Sequence, residues 1–79
     1  MKNQQQFKTD NFPLSCYLLC VGCRILSVDK TNPRRAVFIF DNTEDLKLHN
    51  QKFLSYEALI EPHKFFSAQK DIKQLIYGV

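Results

Sequence analysis

The chain has 79 residues, 44% of them hydrophobic and 13% aromatic, with a net charge of +3 and only two glycines. That is room for one small domain with a thin stability margin, and it is too apolar for a disordered segment. So few glycines exclude a phosphate-cradling nucleotide loop, and the mild positive charge permits nucleic-acid contact without demanding it.

In chain order, residues 1–8 are polar, with a run of Gln4, Gln5 and Gln6, and read as a flexible tail. Nothing in this stretch has the apolar core of a signal peptide. "LSC" at Leu14 to Cys16 is only a fragment of a lipoprotein cleavage site, with no leader of sufficient length before it. Thr9 and Asp10 are candidate N-caps of a first helix, Pro13 falls in its first turn, and Gly22 ends it. The apolar run from Leu14 to Cys23 is shorter than the ~20 residues that span a bilayer, so no membrane association is expected. Free thiols in odd number fit a reducing, cytoplasmic setting.

Arg24 to Asp29 and Arg35 to Asp41 are rich in branched and aromatic residues and flank "KTNPR", where Asn32-Pro33 starts a turn. This is a β-hairpin. Its second strand, "AVFIF", is apolar at every position, so both faces need cover. Asn42 or Thr43 caps a second helix, with Glu44 and Asp45 at its positive end and a weak stripe of Leu46, Asn50, Phe53 and Leu54. Ala58 to Glu61 is a candidate third strand. Pro62 opens a last helix whose apolar face is Phe65, Ala68, Ile72, Leu75 and Ile76, closed by Gly78. The order is α-β-β-α-(β)-α. It describes a single α+β domain over 9–79, an antiparallel β-hairpin or three-stranded sheet packed against helices.

The three cysteines all lie in "CYLLCVGC", spaced C-x3-C-x2-C. This is the cluster spacing of radical SAM enzymes. The chain is too short for the scaffold that such a cluster needs, and Gly22 stands where that family carries an aromatic residue. Cys16, Cys20 and Cys23 stand at i, i+4 and i+7, in line with Phe12 and Leu19, which is a helix stripe facing a core. A closed zinc site needs four ligands, and neither His49 nor His63 stands in ligand spacing with another. No metal or other cofactor is expected.

"TDNFPLSCYLLCVGCRI", "RRAVFIFDNTEDL" and "EPHKFFSAQKDIKQLIY" together resemble a family of small uncharacterised proteins, a domain of unknown function found in bacterial and phage genomes. The resemblance runs from Thr9 to Tyr77 and lies mainly in structural positions. It carries no catalytic residues. It implies a phage or mobile-element setting, and small residues such as Ala in place of Cys16 and Cys20.

No nucleophile with its base and no acid–base pair can be assembled, and Asp41, Glu44 and Asp45 are explained by helix capping, so the expectation is not an enzyme. Two functions stay open. Arg24, Lys30, Arg34 and Arg35 on and near the hairpin loop form a basic group that fits a phosphate backbone, with Phe38 and Phe40 as stacking residues. Alternatively, Leu14, Tyr17 and Leu18 with Phe38 and Phe40 form a surface for a protein partner or a homodimer. Lys64, Lys70 and Lys73 read as the solvated face of the last helix.

Overall fold

The structure is a computed structural model and describes residues 6–32 and 34–77. Its elements are β1 (Gln6–Thr9), α1 (Phe12–Cys20), β2 (Ile25–Asp29), β3 (Val37–Asp41), α2 (Glu44–Leu54) and α3 (Pro62–Tyr77). The strands form one antiparallel sheet in the order β1-β3-β2. This is the expected small α+β domain, but its third strand comes from a different place. Ala58 to Glu61 is not a strand, whereas Gln6 to Lys8, expected in the tail, form most of β1. β1 pairs Phe7 with Phe40 and Thr9 with Phe38, so the apolar ring of an otherwise polar segment lands on the core side of the central strand.

β2 contains a register shift between Ile25 and Ser27. In a regular strand Ile25 and Val28, three apart, would face opposite sides. The extra residue, Leu26, absorbs the mismatch and is 44% exposed. Ile25 then stands opposite Phe40 and Val28 opposite Phe38, both on the core face.

Asn11 caps α1, accepting the Leu14 N–H at 3.0 Å, while the Thr9 hydroxyl accepts the Asn11 N–H at 3.1 Å. The cap therefore sits after both expected candidates, Thr9 and Asp10. Leu14, Ser15, Cys16, Tyr17 and Leu18 are all buried, so α1 is enclosed on almost every side. The one polar member, Ser15, donates its hydroxyl to the Asn11 carbonyl at 3.0 Å. Thr43 caps α2 and Glu61 accepts the Lys64 N–H at 3.1 Å at the start of α3. α1 packs against both α2 and α3.

One core joins α1 to Phe38 and Phe40 of β3, Leu46 of α2, and Ala68 and Ile72 of α3. This corrects the expected interaction surface. Leu14, Tyr17, Leu18, Phe38 and Phe40 are each at most 4% exposed, inside the chain's own core. The physical reason is that burying each such side chain stabilises the fold by roughly 2 kcal/mol, and a chain this small has few others to spare. The same burial removes Phe38 and Phe40 as stacking residues for bases. On α3, Leu75 is 43% exposed and marks the edge of the expected stripe. Pro33 and Gly78, expected in the hairpin turn and at the end of the last helix, lie outside the described residues.

Candidate functional site

The hairpin loop is organised by side chains before any ligand is considered. Asp29 at the end of β2 accepts from the Thr31 N–H at 2.9 Å and from the Thr31 hydroxyl at 2.6 Å. These bonds hold its carboxyl below the usual carboxylate range, with a lesser contribution from Lys8. Asn32 accepts the Arg34 N–H at 2.9 Å through its side chain, and its carbonyl accepts the Arg35 N–H at 3.1 Å. The backbone of the loop is thereby tied, and the cationic side chains stand outward. Arg35 reaches Asp10, in the β1–α1 connection, with Nε to carboxylate at 2.6 Å. Both partners are well exposed, so the pair fixes geometry more than it adds stability.

Lys30, Asn32, Arg34 and Arg35 line an open groove of about 440 Å³ with Ala36, and Ile76 and Tyr77 of α3 close its far side. Three of the four expected cationic residues are thus together. Arg24 is not with them. It precedes β2 at the other end of the hairpin, where its carbonyl accepts the Asp41 N–H at 2.9 Å. A five-residue strand of about 16 Å separates it from the loop. There it lines a small cleft with Asp41 and Asp45, a setting that repels phosphate. Tyr77 was not among the expected site residues. The cue in the sequence is its place four residues after Lys73 on the flank of an amphipathic helix.

The three cysteines sit in different settings. Cys16 is fully buried, and burial first, then repulsion from Cys20, pushes its thiol up from an ordinary 9.0 to about 11. Cys20 donates to the Lys64 carbonyl on α3 at 3.2 Å. Cys23 lies beyond the helix, because α1 ends at Cys20 and Gly22 follows with φ +96°. The expected i, i+4, i+7 stripe therefore breaks at its third member. Burial also raises Cys20 and Cys23, so none of the three is an activated nucleophile. Among the described residues no group of three or more His, Cys, Asp and Glu side chains is placed to hold a metal ion. No helix among them is long and apolar enough to cross a membrane.

A second exposed feature lies between α2 and α3. Both α1 and α2 end in the same backbone motif. After α1, the Cys23 N–H bonds to the Leu18 carbonyl and Gly22 N–H to Leu19; after α2, the Glu57 N–H bonds to Lys52 and Tyr56 N–H to Phe53. The motif needs a left-handed residue. Gly22 supplies it after α1, but Tyr56 supplies it after α2, at φ +63°. Tyr56 is 97% exposed, and Leu54 and Leu59 on either side are exposed as well, while Ala58 and Ile60 turn towards the core. Nothing in the residue type at position 56 announces a helix end, so this feature was not legible in the sequence.

No curated protein and no solved structure matches the chain. A family match covers residues 4–78, from just before β1 to the end of α3. It carries no assigned activity, and it takes in β1. On that match the chain belongs to the family described as "Domain of unknown function (DUF5659)".

Proposed function

We propose that this protein is a small non-catalytic binding module that contacts nucleic acid through the β2–β3 loop, acting in the cytoplasm of a bacterial or phage-infected cell. The observation that carries the reading is the groove in which Lys30, Arg34 and Arg35 converge with Asn32 beside Tyr77. Among the described residues no ion pair engages Lys30 or Arg34. Two cations free to replace counterions give weak, salt-sensitive contact, as expected of an accessory module. Fluorescence anisotropy with labelled oligonucleotides tests this. Lys30→Glu with Arg34→Glu abolishes binding at low salt, whereas a wild-type protein showing no salt-dependent binding to any nucleic acid sinks the reading.

The exposed Leu54, Tyr56 and Leu59 favour a second reading, a protein-interaction or homodimer surface. It lies away from the residues first expected to carry such a role, which are core. Sedimentation at micromolar concentration, with Leu59→Asp as the control, tests the homodimer. A monomer throughout contradicts self-association. A photo-crosslinker at position 59 that captures no protein contradicts a different partner.

A further inference from the structure

We propose that the nucleic acid is single-stranded, and that its track runs from the hairpin groove along one flank of α3 where two lysines stand between two aromatic side chains. This rests on the nucleic-acid reading of the hairpin loop. Phe66, Lys70, Lys73 and Tyr77 stand at i, i+4, i+7 and i+11 of α3. At 3.6 residues per turn these positions form one stripe, about a third of a turn away from the line of Phe65, Ala68, Ile72 and Ile76 that faces the core. All four side chains are exposed, with Phe66 at 59% and Tyr77 at 72%. The stripe is about 16 Å long, from eleven residues at 1.5 Å each. Its C-terminal end is Tyr77, which also lines the groove with Lys30, Asn32 and Arg34. The helix flank and the loop are therefore one continuous surface.

The two rings decide the ligand. Lysines alone would serve any phosphate backbone, and lysines on a helix flank are ordinarily a solvated face. Two solvated rings at either end of the same stripe are not explained by solvation, nor by the core, which is complete without them. A flat ring gains from a base only when that base offers its face, and in a duplex the faces are already stacked. Phe66 and Tyr77 are thus suited to unpaired bases, with Lys70 and Lys73 between them on the intervening phosphates and Lys30 and Arg34 taking the strand beyond Tyr77.

Anisotropy with a short labelled single strand and a duplex of the same sequence is the test, with circular dichroism confirming that each variant is folded. The expected result is tighter binding of the single strand. Phe66→Ala and Tyr77→Ala each weaken it about tenfold, Tyr77→Phe restores it, and Lys70→Ala or Lys73→Ala each lower the slope of log affinity against log salt by about 0.7. Equal binding of strand and duplex, lost on Lys30→Glu with Arg34→Glu but indifferent to both aromatic variants, overturns this inference and leaves the hairpin reading standing. No binding of either form by the wild type overturns both.

Discussion

Replacing Tyr56 by glycine should make the protein more stable, although it removes a large aromatic side chain. Tyr56 holds φ +63° to complete the hydrogen bonds that close α2. For an L-residue the left-handed conformation costs roughly 1–2 kcal/mol, which glycine avoids. Glycine returns about 0.4–1 kcal/mol of that through its freer unfolded chain. Because the ring is 97% exposed, almost no packing is lost. The balance is a gain of about 0.5–1 kcal/mol, or a rise in Tm of about 4 °C for a domain of this size. Gly22→Ala is the mirror experiment. No atom lies within 4 Å of the added Cβ, so its cost is the backbone conformation at φ +96° alone, a loss of about 1 kcal/mol. Urea and thermal denaturation of the two variants beside the wild type give the answer. An unchanged or lowered midpoint for Tyr56→Gly would contradict this, since it would mean that the ring stabilises the fold through contacts that its exposure excludes. If Tyr56 is instead kept for a partner, the same variant is more stable and binds that partner less well.

Other consequences follow from burial and charge. Ile72→Ala should cost about 2–5 kcal/mol and Leu75→Ala under about 1 kcal/mol by urea denaturation, since Ile72 is fully buried and Leu75 is 43% exposed on the same helix. Cys16 is protonated in the fold, and its pKa rises from 9.0 to about 11. Its contribution is therefore intact below pH 9.0 and is lost as pH climbs from 9.0 through about 11, by about 3 kcal/mol in all. Cys16→Ala should stay folded and flatten that alkaline limb, and wild-type Cys16 should be the slowest of the three thiols to alkylate. The purified protein should contain neither iron nor zinc; stoichiometric metal by elemental analysis would contradict the packing account of the cysteines. Asp10→Asn frees Arg35 from its ion pair at under about 1 kcal/mol of stability. It should steepen the salt dependence of oligonucleotide binding by up to about 0.7, for one more phosphate contact.

The parts legible in the sequence are those decided locally. Thr43 and Pro62 mark the starts of α2 and α3, Gly22 follows α1, and the turn residues separate two strands of high β-propensity, so the hairpin and three helices can be read directly. β1 could not be read that way. Phe7 is its only large apolar residue, and what makes the segment a strand is the vacant edge of β3, a partner some thirty residues further on. The same dependence on tertiary neighbours explains the misplaced interaction surface. Periodicity shows that α1 has two apolar faces and that "AVFIF" has two, but not that α1 and the Phe38 and Phe40 face join in one core that takes up the best hydrophobic side chains. For the candidate site, sequence proximity grouped Arg24 with Lys30, Arg34 and Arg35. The strand between them then carries Arg24 to the far end of the sheet, and the end of α3 takes its place beside the loop.

We propose that the hairpin loop and the adjoining flank of α3 form one nucleic-acid surface. Amide chemical-shift mapping with a short single-stranded oligonucleotide tests it most directly. Perturbations are expected at Lys30 to Asn32, at Arg34 to Ala36 and along Phe66, Lys70, Lys73 and Tyr77, fading as salt is raised. Perturbations confined to Leu54 through Leu59, or none at saturating oligonucleotide, would contradict it.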